Sequence, residues 1–302
     1  MSNMVVRTNM LALNSHRNLG NVGNAQARSS ARLSSGFRIN SAADDAAGLG
    51  ISENMRAQIR GLDQASRNAQ DAISLVQTAE GGMSTINEMT IRIRELTVQA
   101  ANDINTSEGA GGVGANESNR ARIQGEINHL IDEIQRTATT LEFNNTVLLD
   151  GTAGTKFFQV GANSGQGLTI ELPNIVTDVA DALRTAFGSP AFGAVTNDSS
   201  AGSIATGTGS TISALLDNVD TVLSAATAAR GALGAIQNRL EFTIQNLDIS
   251  SENLSASNSR IRDADMAAEM MRLTQANVLQ QAATSMLAQG NQAPQSILQL
   301  LG

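Results

Sequence analysis

Ile212, Val219, Ala226, Leu233, Leu240, Leu247, Leu254 and Ile261 stand seven residues apart without a miss. Leu215, Val222, Ala229 and Ile236 supply a second seam position in the first half, before Thr243, Ser250 and Ser257 replace them. A repeat of seven held this long forms a helix whose apolar stripe winds left-handed around its neighbours. About fifty residues of helix extend about 75 Å, longer than a compact domain of this size. The spacing therefore predicts a rod, and other stretches supply its remaining helices. From Ser41 to about Asn102, Ile59, Leu62, Ala69, Ile73, Val76, Met83, Ile86 and Ile93 follow steps of three and four; from Asn116 to about Thr140, Ile123, Ile127, Leu130, Ile131 and Ile134 mark a buried side.

Breakers divide the chain. Ser34-Ser35-Gly36 ends an N-terminal helix-permissive stretch that Gly20 and Gly23 weaken, and Ser41 with Asp44 reads as a capping box opening the next helix. Gly81-Gly82 inside that helix costs roughly 2 kcal/mol of propensity, which implies very close packing or a bend. Asn105 to Gly114 reads as a loop. Phe157 to Gly161 and Leu168 to Leu172 alternate in period two around Asn163-Ser164-Gly165-Gln166-Gly167, the pattern of a β-hairpin. Pro173 to Ser210, rich in Gly, Ser and Thr, is expected to be a small surface insertion or a long loop, with one short helix over Asp178 to Phe187.

The two ends have an unusual charge pattern. Leu273 to Gly302 contains no Asp, Glu, Lys, Arg or His, yet Leu273, Ala276, Leu279, Ala283, Met286 and Leu287 recur at helical steps, followed by Ile297, Leu298, Leu300 and Leu301 beyond Pro294. Such a helix has no charged face to solvate it and is marginal alone. Its mate within the chain is Met1 to Ala43, where Val6, Met10 and Leu13 share a face and which carries five arginines but no acid. The expected fold is mainly α: a long helical rod with coiled-coil packing, paired terminal helices and a small β-hairpin region. The expected domains are 1–40 with 262–302, 41–172 with 211–261, and the insertion 173–210.

Composition narrows the function. The 302 residues include no Cys, Trp or Tyr, so thiol catalysis, disulfides and thiolate metal sites are excluded, and the core must come from aliphatic residues. A net charge of −8 without a Lys/Arg cluster argues against nucleic acid as partner. No run is long and apolar enough to span a membrane, and no N-terminal apolar region fits a secretory signal; those rules alone place the chain in the cytoplasm. His16 and His129 are the only histidines, in no metal-ligand spacing, and Gly48-Leu49-Gly50 has neither the third glycine nor the preceding strand of a nucleotide loop. Asp44-Asp45, Asp132-Glu133 and Asp263 with Asp265 are carboxylate pairs that do not face each other on a helix, so caps, ion pairs and solvation are their expected uses. No catalytic, cofactor or metal residue is assigned. Arg92, Arg94, Glu95 and Glu126 read as lateral ion pairs or docking contacts.

Several motifs resemble the bacterial flagellin family. Leu33-Ser34-Ser35-Gly36-Phe37-Arg38-Ile39-Asn40-Ser41-Ala42-Ala43-Asp44-Asp45-Ala46-Ala47-Gly48 is similar to its N-terminal signature, and Ser259-Arg260-Ile261-Arg262-Asp263-Ala264-Asp265 with Ala288-Gln289-Gly290-Asn291-Gln292-Ala293-Pro294-Gln295 to its C-terminal one. The resemblance covers 1–172 and 211–302 and implies a near-minimal family member. It implies a structural subunit, secreted through the flagellar type III export apparatus with an export chaperone on the C-terminal segment, which replaces the cytoplasmic assignment. It implies polymerisation of many copies into an extracellular filament for motility, with cap and hook-junction proteins as further partners. The assembly core is then Val6, Met10, Leu13, Leu273, Leu279, Met286, Leu298 and Leu301, and a hook-filament junction protein is the alternative. The family's contact motif for a host innate immune receptor resembles Ile91 to Val98, with Arg92, Leu96 and Glu126 at the matching positions and Thr97 where Ala is usual. Ser and Thr within 196–213 are candidate O-glycan sites by composition.

Overall fold

A computed structural model describes residues 9–102, 119–188, 204 and 208–301, except the side chains of Leu11 and of 293–301. The heptad stretch is one uninterrupted helix, α5 (Gly209–Arg262). The others are α1 (Met10–Ser35), α2 (Ala46–Ala101), α3 (Asn119–Thr140), the short α4 (Ala182–Phe187) and α6 (Met266–Leu301). Two antiparallel strand pairs complete the described architecture: β1 (Glu142–Phe143) with β2 (Thr146–Val147), and β3 (Thr155–Gln159) with β4 (Gly167–Glu171). Long helices packed on one another with two small hairpins match the expected fold class. The loop expected over 105–114 lies outside the described residues.

The chain forms two compact units: the described parts of Met1–Arg60 with Ser251–Gly302, and of Gly61–Ser250. These divisions fall at 60 and 250, whereas the sequence reading divided the chain at 40 and 261. In the second unit, Met83, Ile86 and Ile93 of α2, Ile127, Ile131 and Ile134 of α3, and the α5 seam share one apolar core with Leu148, Leu149 and Ile170 from the hairpin region. Of the eight seam residues, Ile212, Val219, Ala226, Leu233, Leu240 and Leu247 are buried, while Leu254 and Ile261, in the first unit, are half-buried. Seam burial thus weakens beyond the point where Thr243, Ser250 and Ser257 take the second position, because a narrower apolar stripe covers less of its neighbours.

Several details differ from the sequence reading. Helix α2 begins at Ala46, and its first turn is capped by Asp45, whose Oδ1 accepts the Gly48 N–H at 2.8 Å. The Ser41 and Asp44 pair closes the turn before it instead: Asp44 Oδ2 accepts from the backbone N–H groups of Asn40 and Ser41 at 3.2 and 3.1 Å. Two adjacent aspartates divide the work, one holding the turn and one the helix. At the double glycine α2 stays continuous, and the explanation is close packing: a Cβ on Gly82 would run into Leu141, while Gly81 faces open space.

The stretch expected to be a surface insertion is partly core. A π-helical turn (Val176–Asp181) runs into α4, and Ile175, Val179, Leu183, Phe187 and Ile204 are all buried. The Ile204 N–H donates to Gln124 Oε1 at 3.1 Å, and Arg184 pairs with Asp132. Abundant Gly, Ser and Thr around it hide the spacing of its apolar residues. The β1–β2 hairpin also escaped the sequence reading; Asn144 and Asn145 both take positive φ, 48° and 61°, as a two-residue hairpin loop requires.

Leu240 is fully buried on α5, and Phe242, two residues on, is 70 % exposed. Leu240→Ala is expected to lower the unfolding free energy by about 2–5 kcal/mol, and Phe242→Ala to change it by about 0.5 kcal/mol or less, as read by urea denaturation.

Candidate assembly surface

In the first unit, α1 packs against α6. The less exposed positions of α1 include Ala12, Ser15, Leu19, Val22, Gln26, Ser29 and Leu33, alternating steps of three and four. On α6 the same alternation picks out Glu269, Leu273, Ala276, Gln280, Ala283, Leu287 and Gly290. Both helices thus present a coiled-coil seam to each other, and it is composed largely of small and polar residues. Polar contacts tie it together: Gln26 Nε2 donates to Asn277 Oδ1 at 2.8 Å, and Asn9 Nδ2 donates to the Gly290 carbonyl at 2.8 Å.

The turn after α1 and the connection before α6 are stitched to each other. Gly36 takes φ +76°, the left-handed conformation that ends α1. Its carbonyl accepts from Ala264 N at 2.9 Å, and Arg38 N donates to the Arg262 carbonyl at 2.7 Å. The Arg262 guanidinium lies 4.6 Å from the Phe37 ring centroid and donates to Glu53 Oε1 at 2.9 Å. Asp265 then caps α6, accepting from Ala267 N and Ala268 N at 2.9 and 3.1 Å. The motifs around Phe37 and Arg262, 225 positions apart in sequence, thus form one clasp.

Large apolar side chains of this unit point outward. Met270, Met271, Thr274, Gln275, Val278 and Leu279 line an open, mostly apolar groove of about 490 Å³ on the outer face of α6. Met10, Leu13, Leu279 and Met286, four of the expected assembly residues, are about half to two-thirds exposed, and Leu273 is half-buried. Val6 and the side chains of Leu298 and Leu301 lie outside the described residues. The sequence reading did not single out Met266, Met270, Met271 or Val278, because it sought one apolar stripe on a helix that is apolar on two sides.

Glu269 is the one carboxylate in this seam. It is buried beside Ser29, within 3.0 Å of Arg272 Nη1 and 3.9 Å of Arg32 Nη1. Hydrogen bonding from Ser29, then from Arg272, holds its carboxyl below the ordinary value of 4.5 despite burial. A depressed folded-state pKa stabilises the fold fully above the unfolded-state value, and that contribution is lost as pH falls through the folded one.

In the second unit, Arg92 on α2 bridges two carboxylates, Glu126 on α3 at 2.9 Å and Glu95 at 3.1 Å. Arg94 reaches Asp220 on α5 at 2.7 Å. These exposed pairs add little stability. Of the three expected receptor contacts, Arg92 and Glu126 sit together on the surface, whereas Leu96 is buried in the core and offers no side chain outward. Of the paired carboxylates, Asp45 and Asp265 cap helices, Asp132 pairs with Arg184 and Glu133 with Arg136. Among the described residues no group of three potential metal ligands is found, and no helix is long and apolar enough to cross a membrane.

On acidification below about pH 4.5, the α1–α6 pair is expected to loosen first at Glu269. Glu269→Gln should flatten the acid dependence of amide exchange in 22–33 and 269–280, relative to the unaltered chain.

Comparisons with known proteins find relatives along nearly the whole chain. The family model described as the bacterial flagellin N-terminal helical region matches residues 6–154, and that of the bacterial flagellin C-terminal helical region matches 216–301. A flagellin of Halalkalibacterium halodurans is 47% identical over 298 residues, covering 99% of this chain and 100% of the relative. A flagellin of Bacillus subtilis is 44% identical over 312 residues, again 99% of this chain and 100% of the relative. Among solved structures, a putative flagellar hook-associated protein from Vibrio parahaemolyticus covers 73% of this chain and 100% of its own, with a TM-score of 0.55 at 11% identity, a likeness of fold alone. Two family models placed on the two halves of the clasp, and relatives aligned end to end, have one reading: the chain belongs to the bacterial flagellin family.

Proposed function

We propose that this flagellin polymerises by burying the outer face of α6 and the exposed end of α1 against neighbouring copies of itself, and that the resulting filament serves motility. A flagellin is a structural subunit of the extracellular flagellar filament, not an enzyme. The observation that carries the mechanism is that α6 carries no charge from Leu273 on yet turns Val278, Leu279 and Met286 outward, with Met270 and Met271 exposed just before them. Apolar area gains roughly 25 cal/mol per Å² on burial, and here much of that area is left for association. A charge on that face would have to be desolvated in every subunit, at several kcal/mol per ion.

Export and capping complete the proposal. The chain leaves the cell through the type III apparatus, escorted by a chaperone on its C-terminal segment, and meets the cap and hook-junction proteins at the filament ends. The junction-protein alternative is not favoured: relatives that match at 44–47% identity over nearly the whole chain are flagellins, and the hook-associated likeness is 11% identical. A second role as a ligand of an innate immune receptor is supported by the exposed Arg92–Glu126 pair. O-glycans within 196–213 remain part of the proposal by composition.

Val278→Lys is expected to abolish polymerisation seen by negative-stain microscopy while leaving urea unfolding of the rest of the chain unchanged; normal filaments from that variant would refute the assembly mechanism. For the receptor, Arg92→Ala is expected to cut receptor signalling at least tenfold while filaments still form, and unchanged signalling would remove that role.

A further inference from the structure

Pro294 lies inside α6, which continues to Leu301. In an α-helix the carbonyl of residue i accepts from the N–H of residue i+4, and proline has no N–H to give. Gly290, four residues before Pro294, therefore has a carbonyl without its helical donor. Gly290 is buried in the α1–α6 seam, where an unpaired carbonyl is expensive.

The donor arrives from the other end of the chain. Asn9 Nδ2 donates to the Gly290 carbonyl at 2.8 Å, across 281 positions of sequence. The same side chain caps α1: its Oδ1 accepts from Ala12 N at 3.0 Å, while its backbone carbonyl accepts from Leu13 N at 3.1 Å. One carboxamide thus satisfies an orphan donor at the start of α1 and an orphan acceptor within α6. The two jobs need a donor as well as an acceptor, so aspartate, a good cap otherwise, would not serve.

We infer that Asn9 is the positioning residue that fixes the register of the terminal helix pair, by supplying to Gly290 the hydrogen-bond donor that Pro294 lacks. Apart from Leu19, Val22, Leu33, Leu273 and Leu287 the seam is mostly Ala, Ser, Gln and Gly, and its apolar contacts alone discriminate poorly between registers one heptad apart. A single vacant carbonyl and a single matching amide discriminate well, because any slip leaves both unpaired. The register in turn decides which side chains make up the outer face that neighbouring copies meet.

The test is a double-mutant cycle on the full chain: unaltered, Asn9→Asp, Pro294→Ala, and both together. Asn9→Asp keeps the α1 cap but removes the donor, and Pro294→Ala restores the helical N–H to Gly290. Asn9→Asp alone is expected to raise the concentration of chain left unpolymerised about tenfold, the scale of one buried acceptor left unpaired. Pro294→Ala alone, and the double variant, should stay within about twofold of each other. The polymerisation readout rests on the assembly reading above; amide exchange of 12–22 in the monomer does not, and should quicken in Asn9→Asp only while Pro294 is present. Equal exchange in all four proteins, or the same Asn9→Asp defect in both backgrounds, overturns the inference. Normal exchange coupling with unaltered polymerisation would instead overturn the step from register to assembly.

Discussion

Two helices that meet through a few leucines set among alanine, serine and glutamine cannot hold each other by apolar burial alone. That constraint governs the first unit. The α1–α6 seam offers Leu19, Val22 and Leu33 against Leu273, Ala276 and Leu287, while the larger apolar surface of Met270, Met271, Val278 and Leu279 faces away. Small seam residues leave the larger apolar surface on the outside. Polar contacts at Asn9, Gln26 and Ser29 then supply specificity rather than bulk stability.

The second unit follows the opposite rule. Its core gathers large aliphatic residues from α2, α3, α5 and both hairpins, and its charges stay on the surface in pairs such as Arg94 with Asp220. The contrast gives one polypeptide an aliphatic-cored body and an end whose larger apolar side chains face outward.

Much of this was legible in the residues. The seven-residue repeat ending at Ile261 is visible because α5 uses one stripe throughout, and the hairpin at β3–β4 because its alternation is regular. The turn at Asn144-Asn145 was missed because each flanking strand is only two residues long, too short for a period to register. The short helix expected over Asp178 to Phe187 is present, but its burial was missed because the Gly, Ser and Thr around it read as surface. For the candidate site, composition located the uncharged end, but Leu96 looked like a contact by position and proved to be core.

The sequence by itself determined that the chain is built of long helices and that its two ends belong together, because periodicity and charge are local properties that survive without coordinates. Only the tertiary structure decided which faces stay open and which carbonyls are orphaned. The pairing of Phe37 with Arg262, the burial of Glu269 beside Ser29, and the reach of Asn9 to Gly290 each join residues more than 200 positions apart. No spacing rule connects such residues; the fold brings them within hydrogen-bonding distance, and the need to satisfy buried polar groups makes the contact matter.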